Sequence, residues 1–231
     1  MIELASKMTE WLLARSYRDI ASDASGYPYV SFDVFDTLLL RTVAKPEDVF
    51  RKIGKSLGCE EEFFQLRKRG ERFARKHGAE EVALCEIYQA VKELSSGSEL
   101  AGFDISELMS MELDVERQVS LPNEPMRGLF DSLKDSRKLV ILSDMYQTRA
   151  FVSELLKRAG YALDDVDLFV SSEVGKTKRS GSLYRHAQKE LDIQPNEIFH
   201  IGNSARSDYF AARRCGWNAA LIPPSGWRQR R

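Results

Sequence analysis

The stretch Tyr29-Val30-Ser31-Phe32-Asp33-Val34-Phe35-Asp36-Thr37-Leu38 sets how the rest of the chain is read. Tyr29–Phe32 is a β-rich apolar run, too short for a helix, and it stops at an acidic turn. Four later runs share its character: Leu139–Leu142, Leu168–Val170, Ile198–Ile201 and Ala219–Ile222. Helical patterns fit Phe151–Arg158, Ser182–Leu191 and Asp208–Arg214 between them. Continuous apolar strands alternating with helices predict a parallel sheet covered on both faces. The fold class is therefore α/β, doubly wound.

Residues 41–137 break that rhythm. They show no convincing strand and read as successive helices over Pro46–Leu57, Glu61–His77, Leu84–Leu94 and Ile105–Val119. Pro46 followed by Glu47 and Asp48 suits a helix start, because proline fits the first turn and acids favour the positive end of the dipole. Leu121-Pro122-Asn123-Glu124-Pro125 reads as a linker returning to the core. A connection of this length needs packing of its own. The expected organisation is a core of 1–42 and 122–231, with an N-terminal helix in 1–27, and an all-helical cap at 43–121. Phe63, Phe64, Phe73 and Tyr88 are the expected cap core. Arg67, Lys68, Arg69, Arg72, Arg75 and Lys76 read as a solvated helix face from which one or two cations could reach an anionic substrate.

Hydrophobic residues make up 43% of the 231, charged residues 30%, and the formal net charge is -1. That balance gives no electrostatic reason to expect a nucleic acid or an anionic membrane as partner. Arg228, Arg230 and Arg231 read as a frayed, solvated end. No uninterrupted apolar stretch reaches secretory or membrane-spanning length, so the expectation is a cytoplasmic protein. Cys59, Cys85 and Cys215 are odd in number and widely spaced, which suggests packing residues and neither a disulfide framework nor a zinc knuckle. The oligomeric state is left open.

In open α/β sheets, ligands bind beyond the carboxyl ends of the strands. There the chain places Asp33 after the first run, Ser143 and Asp144 after the second, Gly175-Lys176-Thr177-Lys178 after the third, and Gly202-Asn203-Ser204 with Asp208 after the fourth. A carboxylate can attack phosphorus or carbon. Two carboxylates suit Mg²⁺, which is bound through few protein ligands and shares phosphate oxygens. A lysine supplies fixed positive charge, and a serine hydroxyl can bond a phosphoryl oxygen. Gly175-Lys176-Thr177 imitates the end of a nucleotide-binding P-loop, but Val170 stands where its first glycine belongs. His200 reads as a satisfied core histidine, and His77 and His186 have no partners at metal spacing.

Strand–Asp-x-x-x-Thr, strand–Ser, Gly-x-x-Lys and strand–Gly-Asn with a later Asp, in this order, resemble the four motifs of the haloacid dehalogenase (HAD) superfamily. Phe-Asp-Val-Phe-Asp-Thr-Leu-Leu and Ser-Asp-Met-Tyr further resemble a subgroup of its predicted hydrolases. The resemblance runs from residue 28 to about 222. It implies a Rossmann-like core with a helical cap of type C1. It further implies Asp33 as nucleophile, Thr37 as its support, Ser143 with Asp144 and Lys178 at the substrate, and Lys178 as the catalytic lysine. Mg²⁺ is implied on Asp33, the Phe35 backbone carbonyl, Asn203 and Asp208. The leading function is a magnesium-dependent phosphatase of a small phosphorylated metabolite.

Two positions depart from the phosphatase pattern. Phe35 stands where a general acid and base is usual, and Asn203 where an aspartate is usual. Asp36 is one residue further on, and adjacent residues of an extended segment point oppositely. A dehalogenase-type hydrolase attacking carbon without metal, and a weakly active or inactive domain binding a ligand or partner, therefore remain alternatives.

Overall fold

The computed structural model describes residues 9–10, 12–77, 80–96 and 99–223. The basic end at Arg228–Arg231 and the whole segment 1–8 lie outside these residues. In chain order the elements are α1 (Tyr17–Ala24), β1 (Tyr29–Phe32), β2 (Leu39–Arg41), α2 (Asp48–Ser56), α3 (Glu60–His77), α4 (Leu84–Leu94) and α5 (Ile105–Val119). There follow β3 (Ser120–Pro122), α6 (Glu124–Lys134), β4 (Lys138–Ser143), α7 (Arg149–Arg158), β5 (Asp167–Val170), α8 (Ser171–Val174) and α9 (Ser182–Glu190). The chain ends through β6 (Ile198–Gly202), a π-helical turn (Ala205–Phe210), α10 (Ala211–Arg214) and β7 (Asn218–Leu221).

Five strands form one parallel sheet in the order β5-β4-β1-β6-β7. Both faces are buried, which is why the runs read as continuously apolar. Leu139 and Ile141 of β4, Val30 and Phe32 of β1, and Phe199 and Ile201 of β6 face a core shared with α1, α6 and α7. Val140 and Leu142 of β4 and Ile198 of β6 face the other side, with Tyr184, Ala187 and Trp217. Ser31 and His200 form a polar pair on that second side: Ser31 Oγ lies 2.6 Å from His200 Nδ1, and both residues are fully buried. The α/β fold with its helical insert is thus as expected.

Several local expectations need correction. Residues 41–137 do contain strand: β3 pairs antiparallel with β2 as a two-stranded ribbon at the root of the helical insert. Three residues ending in Pro122 carry no readable period, and proline cannot donate to a ladder. The supposed linker runs directly into α6, with Pro125 in its first turn. Among the described residues the expected N-terminal helix is broken: α1 starts anew after Ser16, whose hydroxyl accepts the Asp19 amide, and Ala14 forms a bridge to Leu221. Asp208 lies inside a π-helical turn, not at the start of a helix.

The insert has its own core, with Val49, Phe50, Ile53, Phe63, Phe64, Leu84, Tyr88 and Leu108 buried together. Phe73, expected there, is 38% exposed. Arg67, expected on a solvated face, is fully buried. Its Nε and one terminal nitrogen donate to the two Glu112 oxygens at 2.7 and 2.9 Å, and Tyr88 Oη donates to Glu112 at 2.8 Å. A charge survives burial only with such partners. Cys59 and Cys215 are half-buried beside apolar clusters, whereas Cys85 is exposed and packs no core. No helix among the described residues is long and apolar enough to cross a membrane.

Candidate functional site

β1 ends at Phe32, level with Ile141 of β4 and Ile201 of β6. Asp33 comes next, its amide still donating to Ile201 O at 2.9 Å. The chain then turns sharply. Leu39 N–H donates to Val34 O at 2.8 Å and Asp36 N–H to Leu39 O at 2.7 Å. Asp36 adopts the left-handed conformation, φ +59°, which aspartate tolerates better than most residues. This turn returns Thr37 to Asp33, where its hydroxyl donates to Oδ2 at 2.8 Å. Asn123 Nδ2 donates to Thr37 O and Tyr161 Oη to Leu38 O, both at 2.7 Å, and these bonds fix the turn from outside. Sequence reasoning missed both, since nothing in an asparagine within an apparent linker, or a tyrosine far along the chain, signals such a contact.

The short α8 ends at Gly175, whose left-handed φ of +67° stops the helix and releases the Thr177–Ser182 loop. Lys178 leaves this loop inward and is 2% exposed. Its ammonium donates to Asp33 Oδ1 at 2.5 Å and to Asp208 Oδ1 at 2.7 Å. Lys176 instead lies 3.5 Å from His186, so of the two lysines only Lys178 reaches Asp33. Asp144 Oδ1 accepts the Lys178 amide at 2.7 Å, which anchors the loop.

Asp208 is held from behind. Its Oδ2 accepts the amides of Asn203 at 3.1 Å and Ser204 at 2.8 Å. Its Oδ1 lies 3.4 Å from His200 Nε2. Gly202 is obligatory here, because a Cβ at that position would stand 2.4 Å from Asp208 Cγ. Sequence reasoning placed His200 in the core correctly and missed that it also backs Asp208.

Charge in this cluster is unbalanced, with two carboxylates facing one ammonium. Burial pushes the Asp33 carboxyl up, to about 7; Lys178 opposes this and Asp208 reinforces it. Burial also disfavours charge on Asp208, but Lys178 and the contact with His200 hold it well below the usual carboxylate range. Burial alone would deprotonate Lys178, yet Asp208, Asp33 and Asp144 keep it firmly cationic. His200 is shifted down by burial and is neutral near pH 7.

Ser143 closes β4, 1% exposed and two residues past the level of Phe32. Phe35 is half-buried, with the Arg41 guanidinium 4.1 Å above its ring. Asp36 is half-exposed; burial raises its carboxyl and Arg41 opposes that. Asp36, Asn203 and Arg41 line one cavity of about 190 Å³. Among the described residues no group of three or more His, Cys, Asp or Glu gathers to ligate a metal. Asp33, Asp208, the Asn203 amide and the Phe35 carbonyl are nonetheless all hard oxygen donors, a set that suits Mg²⁺ with its preference for few protein ligands.

The insert closes over this rim. Leu84 N–H donates to Tyr146 O at 2.7 Å, and Ser171 Oγ donates to Glu81 at 3.0 Å. Tyr146, which follows Ser143 by three residues, lies with its ring 5.0 Å from the Arg67 guanidinium.

The haloacid dehalogenase-like hydrolase family matches residues 27–216, and the chain belongs to that family of hydrolases. No curated protein sequence matches the chain. Solved structures of similar fold include an L-2-haloacid dehalogenase at 21% identity and a TM-score of 0.62, covering 86% of each chain. A 2-haloacid dehalogenase from Pseudomonas syringae pv. Tomato is 17% identical, with a TM-score of 0.60 over 84% of this chain and 85% of that one. A HAD family enzyme from Bacteroides thetaiotaomicron, complexed with magnesium and inorganic phosphate, is 16% identical, with a TM-score of 0.59 over 89% of this chain and 100% of its own. At these identities the likeness shows the fold.

Proposed function

We propose that the protein is a magnesium-assisted phosphomonoesterase working through a phosphoryl group on Asp33. The observation that carries this reading is Lys178, buried between Asp33 and Asp208 at 2.5 and 2.7 Å. Two carboxylates on one ammonium leave a net negative pocket, which is the electrostatic condition for taking up a divalent cation. Asp33, Asp208, Asn203 and the Phe35 carbonyl would hold the metal. When bound, Mg²⁺ would neutralise charge on the phosphoryl oxygens.

The chain's own residues then have distinct tasks. Thr37 holds one Asp33 oxygen and leaves the other to attack in line. Lys178 favours the ionised form of Asp33 against burial and would stabilise charge on the transferring group. Ser143, at the end of the neighbouring strand, donates its hydroxyl to a phosphoryl oxygen, and Asp144 fixes the Lys178 loop. Phe35 supplies no proton to the leaving group, and general acid help is worth about 10²–10⁴ in rate. Slow turnover and a preference for good leaving groups follow.

Phe35 also favours a second reading, attack on carbon without a metal, for which no acid is needed at that position. One assay separates the two: phosphate esters and 2-haloacids tested with Mg²⁺ and with a chelator. Phosphate release that requires Mg²⁺ is expected. Halide release that ignores the chelator would replace the first reading with the second.

A further inference from the structure

A cavity of about 460 Å³ lies between the insert and the core, and Phe35 and Asp144 place its floor beside Asp33 and Lys178. Its volume is that of a small-molecule site. Phe50, Met145 and Tyr146 supply apolar wall. Its charges are more telling. Four cations and four acids line it, and three ion pairs close among them: Arg41 with Glu116 at 2.7 Å, Lys68 with Glu47 at 3.1 Å, and Arg75 with Glu71 at 3.0 Å. The remaining acid, Asp144, is committed to the Lys178 amide. The remaining cation is Arg72, whose guanidinium has no hydrogen bond, ion pair or ring contact among the described residues.

Resting on the phosphoester reading above, we propose that the substrate carries a second anionic group, a carboxylate or another phosphate, and that Arg72 receives it at the far side of an apolar-walled cavity. The phosphoryl end goes to Asp33 and Lys178 on the core, and the distal anion goes to the insert. An unpaired guanidinium can take either oxyanion as a two-pronged acceptor. Of the basic run on α3, this selects one residue. Arg67 is consumed by Glu112, Lys68 and Arg75 are paired, and Arg69 lies outside the lining.

The test is a matched series of aryl phosphates of similar leaving-group acidity, one plain and the others bearing a carboxylate on arms of increasing length. Wild type should prefer one carboxylated member through KM. Arg72→Ala should cut that preference about five- to tenfold, Arg72→Lys should restore part of it, and Arg69→Ala should keep it. Titration calorimetry with the corresponding phosphonates, which cannot be hydrolysed, measures the same preference as binding to wild type and Arg72→Ala. Absence of turnover on every ester, with charge-selective phosphonate binding that needs Arg72, would overturn the phosphatase reading and leave this one standing. No preference for the second anion in either measurement, or a preference untouched by Arg72→Ala, would overturn the inference.

Discussion

Lys178 in the core and Arg67 in the insert are both buried cations, 2% and 0% exposed, and they serve opposite ends. Arg67 faces Glu112 in a two-pronged pair, with Tyr88 on the same carboxylate and the Phe50 and Tyr146 rings within 5.0 Å of its guanidinium. Arg67 also donates to Glu71 at 3.1 Å, a carboxylate it shares with Arg75, so its donors are used. Such a pair holds helices in register and offers nothing to a ligand. Lys178 faces Asp33 and Asp208 together, and its single charge cannot satisfy both. Burial, with Asp208 adding to it and Lys178 opposing, raises the Asp33 carboxyl to about 7. Carboxyls shifted in this way cluster at functional sites. Burial of a cation alone does not separate a reactive ion cluster from a structural one; the partners gathered around it do.

The largest test of that contrast is Asp33→Asn. Turnover should fall about a thousandfold or more, as when a nucleophile is lost. Folding stability should hold or rise, because one of two competing carboxylates is gone. Steady-state kinetics and urea unfolding measure the two effects. A variant that unfolds as readily as it loses activity would make the core cluster structural like its counterpart.

Glu112→Ala comes second and should do the reverse. It leaves Arg67 buried with Glu71, which Arg75 shares, as its remaining acid, a loss at the lower end of about 3–5 kcal/mol. Replacing both partners, Arg67→Met with Glu112→Leu, should recover most of it, since an apolar pair of similar volume is often neutral. Urea midpoints of the single and double variants give the answer. Equal destabilisation in both would show that packing, not charge, is what the pair supplies.

The same contrast explains what the sequence made legible. The core's candidate site residues sit at or shortly after strand ends, so the short apolar runs of the sequence point to Asp33, Ser143, Lys178 and Asp208. The insert offered only helical periodicity, and Arg67 lies among five other cations whose spacing is indistinguishable from its own. Only tertiary partners, Glu112 from a helix about 45 residues on, decide that one is buried and another open. The β2–β3 ribbon was invisible for a simpler reason: three residues hold too little of a period-two pattern. Asn123 and Tyr161 act through single bonds to backbone carbonyls, and such bonds leave no trace in residue order.

The smallest effect belongs to the seam between the two regions. Glu80, from the insert, reaches the loop that carries Lys178. Its Oε1 accepts the Thr177 amide at 3.0 Å, the Thr177 hydroxyl at 2.7 Å and the Ser182 hydroxyl at 2.7 Å, with the Ser180 hydroxyl also donating. Burial works against its charge, but these donors together outweigh it and hold the carboxyl down at about 2. The sign follows from the lowered value. The contact is complete above the ordinary glutamate value of 4.5 and weakens only as pH falls toward 2. Near neutral pH the seam is therefore insensitive to protons, and only mutation should open it. Because Glu80 is exposed, water replaces much of what is lost, and the effect should stay small. Glu80→Ala is expected to raise KM about threefold with little change in kcat, and to speed hydrogen exchange at the Thr177 amide while amides of β1 and β4 keep their protection. A kcat drop comparable to that of Asp33→Asn would place Glu80 in the chemistry itself, and unchanged exchange at Thr177 would show that Ser182 and Asp144 hold the Lys178 loop without Glu80.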